Sequence, residues 1–297
     1  MSLSPHLSHL ESEAIHILRD GVAEAENPVL LFSAGKDSTV LAHLALRAFY
    51  PSPPPLPLLH VDSTWEFQEL LSFRDDFANE HGFELHVYAN EEGRAQGLNP
   101  FEHGSLYTTA MRTEALKQAL DHGGYDVIFG GARRDEEATR AKERIASVRA
   151  PGHAWDPRRQ RPELWSTYNW RLNRGETMRA YPLSNWTEAD IWAYIAARNL
   201  ALAPLYYAAE RPVVERDGTL IVVDDSKAMR WHENEAAVMK TVRFRTLGCW
   251  PVTGAVTSQA TTTHQVIAEN LAAGVSERRG RVSDSGSLEE QKRSGYF

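Results

Sequence analysis

Cys249 is the only cysteine in 297 residues. That excludes an internal disulfide, a Cys-x-x-Cys redox pair and an iron–sulfur cluster held by four thiolates of this chain. A reducing, cytoplasmic setting is expected. Long apolar runs are missing too: Glu11, Glu13 and several polar residues stand where a signal peptide needs an unbroken apolar core, so neither export nor membrane insertion is expected. There is no excess of positive charge. At a formal charge of −8 the chain as a whole repels polyanions, which argues against a general nucleic-acid binder and requires any anion site to be a local cluster of cations. His43, His60, His81, His86 and His103 show no metal-ligand spacing. Neither a Gly-x-x-x-x-Gly-Lys-Ser/Thr loop nor an internal repeat occurs.

What is present is a globular composition, 42% hydrophobic and 24% charged, with length for one large α/β domain or two ordinary ones. A capping box, Ser8 to Glu11, precedes Leu10, Ala14, Ile15, Leu18 and Val22 at helical spacing, predicting a helix over 8–26. Val29-Leu30-Leu31-Phe32 reads as a buried strand. The next helix stops before five prolines in Pro51–Pro57. Strands are then expected at 58–61, 84–88 and 126–129, with helices at about 65–80, 107–121, 132–147 and 187–199, the last capped by Thr187 and Asp190. This alternation is βαβ in character. Arg216-Asp217-Gly218-Thr219 between apolar runs reads as a hairpin turn. The organisation expected is a nucleotide-binding domain over 1–200 and an appended module and polar tail over 201–297.

Between the first strand and its helix lies Ser33-Ala34-Gly35-Lys36-Asp37-Ser38. A glycine there permits a tight turn that aims N–H groups at an anion, and the helix dipole adds positive potential. Lys36 adds a charge, Ser33 and Ser38 add hydroxyls, and Asp37 is placed to cap the helix or orient Lys36 and the waters of a magnesium ion. An ordinary strand-to-helix turn with a capping serine is the plain alternative. Gly130-Gly131-Ala132-Arg133-Arg134 repeats the device after a second strand, and arginines opening a helix point to an anion. For Arg140, Lys142 and Arg144 a solvated helix face with pairs such as Glu136–Arg140 is preferred. Arg243 and Arg245, on alternate positions of one strand, would share a face and either close an anion site or decorate an edge. Asp62, at the end of the second strand, would meet ribose hydroxyls or magnesium, or cap a helix.

The Ser33–Ser38 loop resembles that of the N-type ATP pyrophosphatases. With Gly130–Glu137, Ala141-Lys142-Glu143-Arg144, Gln160-Arg161-Pro162-Glu163-Leu164-Trp165, Pro182–Glu188, Arg243–Pro251 and the closing Gly295-Tyr296-Phe297, nearly the whole chain is similar to the small-subunit family of the bacterial heteromeric sulfate adenylyltransferases. Ser63-Thr64 after Asp62 departs from the family's usual Thr-Gly, and 224–240 looks divergent. The resemblance implies an adenine-nucleotide alpha-hydrolase-like, Rossmann-like α/β fold: a parallel sheet flanked by helices, with a C-terminal extension. It implies ATP and sulfate as substrates, Mg2+ entering with ATP, and a GTPase large subunit as partner, with the polar tail as a candidate docking or closing element. Lys36, Arg133, Arg134, Arg243 and Arg245 become the expected catalytic residues. Ser33, Ala34, Gly35, Asp37, Ser38, Asp62, Gly130 and Gly131 become the nucleotide contacts. Two other functions remain open: a single-cysteine phosphoadenosine phosphosulfate reductase using Cys249, though its surroundings do not match the Glu-Cys-Gly-x-His pattern of those enzymes, and a non-catalytic nucleotide-binding regulator of a GTPase.

Overall fold

The first helix begins earlier than its sequence predicts. In the computed structural model, which describes residues 3–136 and 138–273, α1 spans Pro5–Glu24 with Ser4 as its cap, the Ser4 side chain accepting from the Leu7 N–H. Pro5 occupies the first turn, where its missing N–H costs nothing. Ser8 is already inside the helix, its N–H donating to the Ser4 carbonyl, so the expected Ser8–Glu11 box is not formed. Glu11 instead turns inward and accepts from Tyr194 and Arg198.

Strands β1 (Pro28–Leu31), β2 (Leu58–Val61), β3 (Leu85–Tyr88) and β4 (Val127–Phe129) appear where expected. Between them run α2 (Lys36–Phe49), α3 (Gln68–His81), the short α4 (Glu91–Ala95), α5 (Pro100–Thr108) and α6 (Ala115–Gly123). A π turn over Thr109–Glu114 joins the last two helices. The charged helix expected at 132–147 does not form. A 3-10 turn, Arg134–Glu136, and one helical turn, α7 (Ala138–Ala141), give way to a strand, β5 (Ala146–Arg149). Strand β6 (Thr177–Ala180) follows, and then α8 (Glu188–Arg198), whose Thr187–Asp190 capping box is present as predicted.

The sheet order is β3-β2-β1-β4-β6-β5. All neighbours are parallel except β5, which runs antiparallel at the edge. Strand alternation sends Leu30, Phe32 and Phe129 to a large core under α1, α2 and α8, while Val29, Leu59 and Ile128 meet Leu116 and Leu120 of α6 on the other face. Because β2 and β4 flank β1 on opposite sides, the chain order reverses between β1 and β4. Ligands bind open parallel sheets outside the carboxyl ends of the strands at such a reversal.

A second sheet, of order β10-β9-β7-β8, contains β7 (Ala209–Arg216), β8 (Thr219–Val222), β9 (Val238–Arg243) and β10 (Val256–Thr257). The predicted hairpin is its β7–β8 pair, with Asp217 and Gly218 both at positive φ, as a two-residue turn of this hand requires. Leu205, Val213, Val242 and Phe244 join the main core, so the two sheets share one interior. No helix among the described residues is long and apolar enough to cross a membrane.

Arg243 ends β9 but does not face a ligand edge. It is 2% exposed and donates to Glu269 at 2.9 Å, Ser258 at 3.2 Å and Asn270 at 3.1 Å, holding α9 (Thr263–Ala273) against the second sheet. Arg245 lies beyond the strand, 4.0 Å from Glu188 at the start of α8, so the two arginines do not share a strand face. Replacing Arg243 with alanine is expected to cost about 2–3 kcal/mol, because Ser258 and Glu269 lose a buried charged partner. Thermal unfolding should show the loss, while nucleotide affinity measured on the folded fraction stays unchanged.

Candidate active site

The Ser33–Ser38 loop leaves the carboxyl end of β1 with its left-handed residue at Ala34 rather than at the glycine. Ala34 carries the positive φ of 55°, and its methyl group is fully buried. Gly35 has an ordinary extended φ of −76°. Its lack of a side chain matters for space, since a Cβ would lie 3.3 Å from Ser33 Oγ and 3.5 Å from the Tyr206 hydroxyl. Ser33 and Ser38 hydroxyls are 3.2 Å apart, and Ser38 Oγ also donates to the Gly35 carbonyl. The Lys36 N–H donates to the Tyr206 hydroxyl at 2.8 Å, so a residue just ahead of the second sheet buttresses the start of α2. Thr39 is the first residue whose N–H closes a helical bond, back to Gly35. The Asp37 and Ser38 N–H groups therefore head α2 without helical partners, the usual anion-binding end of a helix.

Asp37 joins two loops. Its carboxylate accepts from Lys36 Nζ at 2.9 Å and from Arg133 Nε at 2.7 Å. Lys36 and Arg133 are each 1% exposed, whereas the Asp37 side chain is 23% exposed. Burial alone would raise the Asp37 pKa, but Lys36 and then Arg133 override it and bring it down to about 2. Asp37 thus ties the two expected cations, Lys36 and Arg133, into one cluster, with Asp135 also 3.5 Å from Arg133.

The glycine pair after β4 also acts through space. Gly130 extends the ladder, its N–H donating to Ala180. A Cβ on Gly131 would lie 3.2 Å from both the Asp37 carbonyl carbon and the Ser38 nitrogen, so glycine here lets the loop after β4 lie directly against the start of α2. The residues that follow do not open a helix. Arg133 answers to Asp37 and Asp135, while Arg134 is turned away and donates to Asn185 at 2.6 Å, with Glu163 at 3.8 Å. Protein carboxylates and the Asn185 amide stand where arginines at a helix start would otherwise point to a bound anion. Glu137 and the closing Gly295-Tyr296-Phe297 lie outside the described residues.

These loops border a cavity of about 260 Å³. Leu31, Leu59, Val61 and Leu116 form an apolar wall at the strand ends, and Ser33, Asp37, Ser38 and Gly131 form a polar side. Two cations absent from the expected set also line it. Arg112, on the π turn, lies 3.7 Å from Glu66, and Arg140 lies 3.4 Å from Glu136. The Glu136–Arg140 pair is the one expected on a solvated helix, yet it faces the cavity. For Arg112 a signal was available: it stands one helical turn before Leu116 and so interrupts an apolar face with a charge. The π turn that carries it has no comparable signature.

Asp62 is not among the cavity-lining residues. Its Oδ1 accepts the Thr64 N–H at 2.7 Å and fixes the turn after β2, where Thr64 takes a φ of 66°. His60 does line the cavity, its Nδ1 2.9 Å from the Phe32 carbonyl. A carbonyl only accepts, so Nδ1 carries the proton, and burial holds the ring's pKa below its ordinary value. Leu247 and Gly248, in the connection from β9 to β10, also line the cavity. Cys249 behind them is 2% exposed, with Ser63 Oγ and the Tyr107 hydroxyl each 3.2 Å from its sulfur. No group of three or more His, Cys, Asp or Glu residues suited to holding a metal occurs among the described residues.

Comparison with known proteins accords with this geometry. The family model of the phosphoadenosine phosphosulfate reductase domain matches residues 27–255. A protein of Acinetobacter baumannii (strain AYE) named sulfate adenylyltransferase subunit 2 is 58% identical over 296 residues, 98% of this chain and 97% of its own length. A Marinobacter nauticus protein of the same name is 57% identical over 305 residues, with both chains covered in full. Among solved structures, Candida glabrata FMN adenylyltransferase in complex with FAD and inorganic pyrophosphate is 13% identical, with a TM-score of 0.51 over 100% of this chain and 91% of that one. That likeness establishes a shared fold. With the Ser33–Ser38 loop at the sheet's reversal point and full-length relatives at this level of identity, the chain belongs to the sulfate adenylyltransferase subunit 2 family, a family of nucleotidyltransferases built on the phosphoadenosine phosphosulfate reductase domain.

Proposed function

We propose that this chain transfers AMP from ATP to sulfate, giving adenosine 5′-phosphosulfate and pyrophosphate. One observation carries the reading: the start of α2, with the Ser33 and Ser38 hydroxyls, opens on a cavity whose wall also holds Arg112 and Arg140. Such a site can take two anions. The nucleotide's base and ribose lie along the apolar wall, and its departing phosphates lie against the Asp37 and Ser38 N–H groups.

Sulfate is already a dianion, so its attacking oxygen needs no general base. The barrier lies in bringing it to another polyanion. A sulfate oxygen forms the new bond to the α-phosphorus while the bond to the bridging oxygen breaks in line, and both electrons of that bond leave with pyrophosphate. Fixed cations and aligned dipoles favour this step because they need no reorganisation as charge moves. The Lys36–Asp37–Arg133 triad and the α2 dipole stabilise the leaving side. Arg112 and Arg140 hold sulfate, which competes with Glu66 and Glu136 for their guanidinium groups.

Magnesium enters with ATP. Asp37 and Glu136 at the cavity edge fit a role as acceptors for its waters, and the ion supplies neutralising charge to the phosphates. Asp62, held by Thr64, is the weaker candidate. The product's phosphate–sulfate anhydride is a high-energy bond, so the transfer is uphill. The name "subunit 2" carried by the relatives supports a second chain, which we assign as a GTPase that drives the reaction by GTP hydrolysis in the cytoplasm.

Three outcomes test this reading. With a GTPase subunit from the same genome present, ATP and sulfate should yield adenosine phosphosulfate, and Lys36→Ala should abolish sulfate-dependent pyrophosphate release while circular dichroism stays unchanged; undiminished turnover would overturn the assignment. Arg112→Ala should raise the KM for sulfate roughly 10- to 100-fold, the loss of one charge-assisted contact, with little change in the KM for ATP. The third outcome concerns pH. The folded pKa of Asp37, about 2, lies below its ordinary 3.8, so its stabilisation is complete above about pH 4 and is lost as pH falls towards 2. Urea unfolding should show the wild type ahead of Asp37→Asn by about 2 kcal/mol at pH 6, with the gap narrowing steadily below pH 4.

A further inference from the structure

The Gln160–Trp165 motif takes no part in the site, yet the fold holds it in a costly conformation. Trp165 is 94% exposed and Leu164 61% exposed. Trp165 and Ser166 both adopt left-handed backbone, φ 52° and 57°, which disfavours residues other than glycine. The crest is nevertheless firmly anchored. Gln160 bonds both the N–H and the carbonyl of Val148, covering the open edge of β5, and Glu163 accepts the Ala146 N–H at 2.8 Å. Arg161 donates to the Asn169 carbonyl, and Tyr168 and Trp170 are buried just beyond. An indole held rigidly in water loses little entropy when a partner covers it.

The surrounding charge is distinctive. Within 151–176 the exposed charged residues are Arg158, Arg159, Arg171 and Arg174. The acids of the segment are engaged within it: Asp156 with the Arg158 N–H and, at 3.7 Å, its guanidinium, Glu163 with Ala146, and Glu176 with Asn173 and, at 3.9 Å, Arg159, while Arg171 and Arg174 stand exposed beside them. On a chain of net charge −8 this is a local positive platform around an apolar crest. Tryptophan and arginine are the residues most enriched at protein–protein hot spots.

We propose that the Leu164–Trp165 crest is the surface on which this chain docks the other subunit of its enzyme, a protein presenting an apolar notch rimmed by carboxylates. The proposal rests on the heteromeric reading above. The chain's own residues 274–297 are a poor occupant, since Arg278, Arg279, Arg281, Lys292 and Arg293 outnumber their acids. The crest also connects with the site. Glu163, next to Leu164, lies 3.8 Å from Arg134, and Arg134 adjoins the Arg133 that grips Asp37.

The test is the affinity of the full chain for a purified GTPase subunit from the same genome, measured by calorimetry. Trp165→Ala should weaken binding about 30-fold, and the double variant Arg171→Glu with Arg174→Glu should weaken it about tenfold and reduce its salt dependence. Both should keep the thermal midpoint and ATP affinity of the unmutated chain, since these side chains are exposed. Unchanged subunit affinity in both variants would overturn the docking surface alone. Failure of the unmutated chain to bind any such subunit would overturn the surface together with the heteromeric reading.

Discussion

The contact on which the site depends is the carboxylate of Asp37, gripped by Lys36 from its own loop and by Arg133 from the loop after β4. Each partner needs the others. Lys36 and Arg133 are almost wholly buried, and either charge would be prohibitive there without an opposite charge at hydrogen-bond distance. Asp37 stays ionised because it has both. The clamp draws the ends of β1 and β4 together at the point where strand order reverses, and Gly131 permits the approach by leaving out a Cβ that would press on the Ser38 nitrogen.

The second sheet belongs to the same construction. Tyr206 receives the Lys36 N–H, Leu247 and Gly248 line the cavity, and Cys249 packs between Ser63 and Tyr107 behind it. Residues beyond 200 thus complete a site that begins at residue 33. Their core is continuous with that of the parallel sheet. Arg243 serves this assembly from a distance by fixing α9, which is why a buried arginine in a motif-rich segment need not touch a substrate.

Much of the architecture was legible because it is local. The apolar runs at β1, β2 and β4, the proline stop after α2, the Thr187 cap and the Asp217-Gly218 turn each depend on a few adjacent residues. Where the local pattern and the structure differ, distant partners overrule the pattern. Residues 132–147 have helical composition, but Arg133 is pulled to Asp37, Arg134 to Asn185, and Ala146–Arg149 pair with β6. Strand β6 is not legible in the sequence because Thr177–Ala180 contains Arg179, which no short-range pattern marks as a buried strand residue.

By itself the sequence determined the βαβ order, the place of the Ser33–Ser38 loop and, through its run of motifs, the family. Strand and helix periodicity, turn chemistry and a six-residue loop are properties of neighbours along the chain. Only the tertiary structure decided which cations face the cavity. It turned Arg134 and Arg243 elsewhere, joined Lys36 and Arg133 through one carboxylate, and brought Arg112 and Arg140 to the cavity wall. A buried charge goes where a counter-charge waits, and that partner is set by folding rather than by spacing.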